Sequence, residues 1–409
     1  MRKIHPAWWV MIGLGMLTAG SVGGYTILMG SFLTSISNNL HVQVSQTSYY
    51  FTFEIIALAI SLVWIHKVLE KVNIKLILIA SSLVQTICGL LILNSKNLIS
   101  VLFYATAIGF AMGFTCMVPM GIIIKNWFNK SENLALGLSW GINSVFIGVM
   151  SPTLSNAISN FGWKSAMLFM IIVCAIFMFI PAIFLISYRP QDIGISPYGG
   201  ESNTTIQKEE LQNSSSTKIL DKSFVFIALI MICIQFTSGL NQLFPTYATV
   251  THFSVTVGGL MVSSAMVFDL FLNIIVGFTC DKYGTVKALL AWSLIALISF
   301  IGLIFATIFH SSNLAIISAV LEDIMYVFLG TGVTALSAAV FSPETFNKKF
   351  SYLNVVGYAA GAFAMPILSK IYELSGTFEY TFAFCLILVI TMMTFLVGLK
   401  KFNSFELAK

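Results

Sequence analysis

Four carboxylates stand inside runs that are otherwise apolar: Glu54 in SYYFTFEIIALAIS, Asp269 in FDLFLNIIVGFTCD, and the adjacent Glu322 and Asp323 in IISAVLEDIMYVF. No lysine or arginine shares any of these runs. Burial without a cation favours the neutral form of a carboxyl, and a second acid nearby favours it further. A group in that balance can take up and release a proton as its access alternates, which is what coupling a solute to a proton requires. The competing use is structural, a permanently protonated carboxyl that donates a hydrogen bond across a helix interface. Both uses fit the sequence, and of the adjacent pair Glu322 is preferred as the proton carrier.

Helical spacing sorts these acids onto faces. Glu54 shares a face with Tyr50, Ala57 and Ser61, Asp269 with Ala265, Asn273 and Gly277, and Glu322 with Ser318 and Tyr326. Asp323 falls nearer Tyr326, Gly330 and Thr334. Successive helical positions are about 100° apart, so the neighbours need not face one cavity. Uncharged polar residues mark where a solute could touch. IQFTSGLNQLFPTYATV carries Gln235, Asn241 and Gln242 and is broken by Pro245, and TAGSVGGYTILMG offers Tyr25 in a glycine-dense stretch. Asn143, Asn273, Tyr326 and Asn354 extend the set. Interrupted helices of this kind line midplane sites, while interhelical hydrogen bonding explains each residue equally well.

The elements that hold these residues are membrane spans. Of 409 residues, 57% are hydrophobic and 9% charged, against about 25% charged in soluble domains. Twelve apolar windows are long enough to cross a bilayer. They run over Trp8 to Ser31, Ser45 to Trp64, Ile74 to Asn94, Leu98 to Ile124, Glu132 to Ile158, Trp163 to Ser187, Phe224 to Val250, Val255 to Cys280, Thr285 to Phe309, Asn313 to Phe341, Phe350 to Glu373 and Phe378 to Leu399. The polar segment 188–222 separates the first six, within 1–187, from the last six, within 223–409. The chain therefore reads as an all-α integral membrane protein of two pseudo-symmetric six-helix bundles joined by a cytoplasmic linker. With the N-terminus inside, all but three of the 21 lysines and arginines (Lys96, Lys164 and Lys370) fall on the cytoplasmic side, so both termini are expected there, in the plasma membrane. That topology accounts for the net charge of +5 without a nucleic-acid partner. The first window follows Arg2, Lys3 and His5 but is longer than a signal core, so it is expected to be retained.

Several chemistries find no support. Six cysteines lie scattered over different windows without paired spacing, which suggests packing rather than disulfides or a metal. No phosphate-cradling glycine loop, metal-ligand spacing or nucleophile elbow is present, so neither an enzyme nor an ATP-driven pump is expected, and no cofactor. Trp8, Trp9, Trp127 and Trp163 stand near predicted interfaces, as anchors would, and His41, His252 and His310 fall at outer span ends. Gly137, Gly141, Gly148 and Pro152 in the fifth window, and Gly357, Gly361 and Pro366 in the eleventh, suit close or bent helix packing.

The two halves echo each other: LEKVNIK follows the second window and CDKYGTVK the eighth. GFTCDKYGTVK, with Gly277, Asp281, Lys282 and Gly284, resembles the loop signature of the major facilitator superfamily of secondary transporters. Glu70 and Lys71 stand for the acid and base of the first copy, while His66 and Asn73 replace its glycines. The resemblance implies the major facilitator fold, alternating access, and a gating role for these loop residues. A narrower resemblance, to the oxalate/formate antiporter and monocarboxylate porter branch, rests on YRPQDIGISPYG, NFGWKSAMLF and KNWFNKSENLALGLSWG. The chain departs from that branch at two cations. Asn273 stands at the arginine position of monocarboxylate porters, and Val355 at the lysine position of oxalate exchangers.

Without a cation, a dicarboxylate in a dry cavity stays uncompensated at several kcal/mol per charge, which argues against oxalate. The leading expectation is a secondary transporter, functional as a monomer, that moves a small organic solute, a monocarboxylate among the candidates, in symport with protons. The alternative is a proton/solute antiporter exporting amphipathic or cationic compounds. A non-transporting membrane receptor is the third, disfavoured by the two repeated loops.

Overall fold

The computed structural model describes residues 5–129, 132–199, 221–341 and 343–402. Their regular structure is helical, apart from one isolated bridge between Phe128 and Tyr198. Helices begin where a short polar side chain can accept from an unpaired backbone N–H. Asn73 caps α3 (Ile74–Leu93) through the Lys75 N–H at 2.9 Å, and Asn97 caps α4 (Leu98–Met112) through Ser100 at 2.8 Å. Preceding them are α1 (Pro6–Leu40) and α2 (Val44–Lys71); α5 (Met117–Trp127), α6 (Glu132–Phe161) and α7 (Trp163–Leu185) follow. The later helices are α8 (Lys222–Gln242), α9 (Phe244–Val250), α10 (Val255–Tyr283), α11 (Thr285–Ile308), α12 (Ser312–Val340), α13 (Pro343–Ser375), the longest of these at 33 residues, and α14 (Phe378–Phe402).

The chain divides into two compact units, Met1–Phe32 with Phe53–Gln212, and Leu33–Thr52 with Asn213–Lys409. In the first, α1 packs on α6, and α3 on α4 and α7. In the second, α11 packs on α12 and α14, and α8 on α13 and α14. The second unit also holds Leu33–Thr52, where Glu373 accepts from the Ser45 N–H at 2.7 Å and the Ser45 hydroxyl at 2.5 Å, and Ser48 pairs with Ser369 at 2.9 Å. Large apolar side chains such as Ile99, Phe103, Phe184 and Ile274 remain exposed, as a lipid-facing surface requires.

Among the described residues nine helices are long and apolar enough to cross a membrane, ten if the two parts of α10, bent by 44°, count as one. Three of the twelve windows are interrupted, and of these the sequence announces only the break in the seventh, at Pro245. The fourth breaks between α4 and α5, where Gly109 lies against the Glu54 backbone and Gly113 against the Ser61 hydroxyl. The seventh tightens into a 3-10 turn at Gly239–Gln242 and restarts as α9 with Pro245, which has no N–H to donate, in its first turn. The tenth, α12, breaks at Asp323 and widens into π-helical turns at Phe328–Gly332. The first window stays apolar throughout but is π-helical over Ala19–Ile27, where Gly20 and Gly24 meet Cys174 and Gly23 meets Asn143. Pro152 and Pro366 sit inside continuous helices.

Two packing expectations are corrected. A Cβ on Gly137 would meet nothing within 4 Å among the described residues, so close packing there is not what the glycine serves, whereas Gly357 and Gly361 do press on Met231 and Gln235. Trp127 is fully buried and donates its ring N–H to the Ser187 carbonyl at 2.9 Å, which makes it an internal tie rather than an interface anchor. The six cysteines are buried and form no disulfide among the described residues. His41, His252 and His310 each end a helix with positive φ, and His310 stacks on Phe253 with ring centroids 4.3 Å apart.

Candidate functional site

The polar candidates fall into one set per unit. In the first, the π-helical stretch of α1 turns Ser21, Tyr25 and Thr26 toward three other helices. Thr26 donates to Glu54 Oε1 at 2.9 Å and lies 3.5 Å from the Met112 sulfur. Glu54 is fully buried on α2 with Ala57 and Ser61, and its Oε2 has no hydrogen-bond partner among the described residues. Ser21 bonds to Gln85 and Thr115, both at 2.7 Å, and Gln85 closes the ring by donating to Thr115 at 3.0 Å. This triad ties α1 and α3 to the break between α4 and α5. Tyr25 is fully buried against Gly89. Asn143 packs against Gly23 with its Oδ1 unpartnered among the described residues.

In the second unit the interruptions of α8 and α12 meet. Asn241, in the tight turn of α8, donates to Asp323 Oδ1 at 3.1 Å, and both side chains are buried. The helix break places the Asp323 carboxyl toward α8 and within electrostatic reach of Asp269 and Glu322. On α10, Asn273 donates to Asp269 Oδ1 at 2.8 Å and accepts from Thr331 at 2.6 Å. Asn273 thus serves the aspartate as a neutral donor. Glu322 is fully buried, faces the neighbourhood of Cys385 on α14, and has no hydrogen-bond partner at either oxygen among the described residues. The ion pairs among those residues, Lys349 with Asp221 and Lys370 with Glu373, involve none of the four span acids.

One expectation about faces is overturned. Asp323 is buried while Gly330 and Thr334 are exposed, because the break at Asp323 and the wider turns at Phe328–Gly332 shift the helical phase between them. Gln235 lies between Gly357 and Gly361 of α13, Gln242 and Tyr326 are half-buried, and Asn354 donates to the Phe350 carbonyl of its own helix at 2.8 Å. In the loop signature, Gly284 ends α10 at φ 86°, and Lys282 lies over the rings of Phe278 and Tyr283 at 5.7 and 5.2 Å. A Cβ on Gly277 would lie 3.7 Å from the Thr331 methyl. The side chains of Glu70, Lys71 and Asp281 lie outside the described residues.

The sequence reading missed Thr26, Gln85, Thr115 and Thr331. Only Gln85 carried a signal, a lone amide in the apolar run of α3.

Apolar helical units that bury carboxyls and amides define a polytopic membrane protein. The Major Facilitator Superfamily profile matches residues 14–268 and 225–404, and the chain belongs to that superfamily of secondary transporters. No curated protein sequence matches it. Solved structures show the same fold at low identity. A bacterial homologue of the human lysosomal transporter Spinster aligns at TM-score 0.73 with 14% identity, covering 98% of this chain and 97% of its own. The nucleoside transporter NupG aligns at 0.76 with 12% identity, covering 97% and 100%. A POT family transporter in complex with 5-aminolevulinic acid aligns at 0.68 with 10% identity, covering 99% and 96%.

Proposed function

We propose that this chain moves a small organic solute across the plasma membrane by alternating access and couples that movement to protons. The reading takes residues 1–187 and 223–409 as two six-helix bundles, 188–222 as a cytoplasmic linker, both termini as cytoplasmic, and the monomer as the functional state. Its main support is the cluster at the two helix breaks, where Asp323 is buried beside Asn241 and near Asp269, with no lysine or arginine paired to it among the described residues. A carboxyl held by neutral donors in a low-dielectric setting can exist in both protonation states, and its position at interrupted helices lets movement of either helix change its access. Glu54, bonded to Thr26, offers a comparable group in the first unit. A solute of the monocarboxylate class fits if it crosses as its neutral acid or with a protein-borne proton, as the resemblance to the oxalate and monocarboxylate branch suggests.

A second reading, antiport of amphipathic or cationic compounds, has its own support. The buried carboxyl and amide atoms without partners among the described residues are all oxygens, at Glu54, Asn143, Asn241, Gln242, Glu322 and Asp323. Acceptor oxygens of this kind, within either unit, suit a solute that brings hydrogen-bond donors. Proteoliposomes loaded with a pH-sensitive dye separate the two readings, with pooled monocarboxylates, sugars, amino acids and cationic drugs added outside. Symport acidifies the lumen and antiport alkalinises it, relative to protein-free vesicles. No protein-dependent pH change with any pool sinks the coupling.

A further inference from the structure

At the end of the first unit where α1 begins, the segment after α7 folds back as a cap. Arg189 and Asp192 close a short 3-10 turn, with the Arg189 N–H donating to Asp192 Oδ2 at 3.0 Å. Tyr198 enters a ring cluster with His5, Trp8 and Phe128, at centroid distances of 5.5 to 5.7 Å. Beside this cap opens a cavity of about 750 Å³, within the size range of ligand sites. Its wall changes character from one part to another. Trp9, Val72 and Phe184 line it and are 50%, 44% and 75% exposed, so they extend an apolar surface outward. Lys75 and Tyr188 line it too, and the Arg189 guanidinium lies 5.4 Å from the centre of the Tyr188 ring. Among the described residues Lys75 Nζ donates one hydrogen bond, to the Ile183 carbonyl at 3.2 Å, out of the three an ammonium can make. Asp192 is the lining acid, and its Oδ2 is engaged by its own turn.

We infer that this cavity is a binding site for an anionic membrane phospholipid, with Lys75 on the headgroup phosphate and an acyl chain along Trp9, Val72 and Phe184. The exposed apolar rim selects a lipid over free phosphate, because an inorganic anion has no use for it. Among the described residues Lys75 in the wall and Arg189 against the lining Tyr188, opposed by Asp192 that is engaged by its own turn, select a headgroup with net negative charge. The site is distinct from the buried carboxyls and does not depend on what the chain transports.

Native mass spectrometry of the delipidated full chain in detergent tests the assignment, with phosphatidylglycerol titrated in. Lys75→Gln keeps a donor for the Ile183 carbonyl but removes the charge, and occupancy is expected to fall about fivefold, the factor for one basic side chain at an anionic surface. Lys75→Arg retains occupancy, and Lys164→Gln on α7 leaves it unchanged. Equal occupancy in wild type and Lys75→Gln, or equal occupancy by phosphatidylcholine, overturns the site, and displacement by millimolar inorganic phosphate shows an ion site instead. A second measurement does not need the lysine variant. Brominated phosphatidylglycerol in nanodiscs should quench wild-type fluorescence more than that of Trp9→Phe, while brominated phosphatidylcholine shows no such difference. The same difference with both lipids means bulk lipid contact alone and overturns the proposal.

Discussion

At the scale of single residues, the geometry divides the adjacent acids that the sequence leaves together. Asp323 bonds to Asn241, whereas Glu322 lies fully buried near Cys385 without a hydrogen-bond partner among the described residues. An ionised carboxylate with neither cation nor donor is too costly at that depth, so Glu322 is the better match to a permanently neutral group. Asp323, held by one amide and near a second aspartate, is the better match to a group that exchanges its proton. Asp323→Asn is therefore expected to abolish gradient-driven accumulation while solute exchange stays within about twofold, since the amide keeps an acceptor oxygen for Asn241. Glu322→Gln, which imitates the neutral acid, is expected to leave both activities near wild type. Accumulation and counterflow of the solute identified by the proton-flux screen are the readouts, and the reverse pattern would return the proton to Glu322. This residue-level distinction was hidden in the sequence because it depends on a helix break. With an unbroken helix, Asp323 aligns with Gly330 and Thr334, and nothing in IISAVLEDIMYVF shows that the phase slips.

At the scale of elements, long apolar runs made the helices legible, because a bilayer leaves such runs few other ways to satisfy their backbone. The breaks were less legible, since tertiary contacts contribute to them. Pro245 announced the interruption of α8, but the one between α4 and α5 accompanies the approach of α2, which places the Glu54 backbone against Gly109. The Ser21, Gln85 and Thr115 ring was likewise invisible, with one polar residue on each of three segments and no spacing to connect them. These contacts make a sharp contrast testable. A Cβ on Gly109 would run into backbone atoms of Glu54, which cannot swing aside, while one on Gly121 would meet nothing within 4 Å. Gly109→Ala is expected to cost about 1–3 kcal/mol or more, the usual penalty for overpacking, and Gly121→Ala to be close to neutral. Scanning fluorimetry in detergent should show a lower Tm for the first alone. Gly284 supplies a conformational counterpart, because its φ of 86° is one that other residues reach only at about 1–3 kcal/mol. Gly284→Ala should therefore lower Tm although its Cβ would have open space.

At the scale of the whole molecule, charge inventory constrains the cargo more firmly than fold does, since one fold serves many substrates. The chain has two arginines, Arg2 and Arg189, and no lysine in the middle of any apolar window. At the two positions where the resembling branch carries cations, Asn273 spends its amide on Asp269, and Val355 is 65% exposed. A dicarboxylate entering such an interior would meet acids and acceptor oxygens and would retain a penalty of several kcal/mol per charge. A penalty of about 4 kcal/mol corresponds to roughly a thousandfold in affinity. Proteoliposomes preloaded with unlabelled oxalate are accordingly expected to take up labelled oxalate no faster than protein-free vesicles at millimolar concentration. Asn273→Arg should not by itself create exchange, because a guanidinium there would pair first with Asp269 four residues earlier on the same helix. Asn273→Arg combined with Asp269→Asn removes that partner and leaves the cation available. Saturable oxalate exchange by the wild type would show that a cation outside the span interiors compensates the substrate, and would overturn the inference from charge inventory.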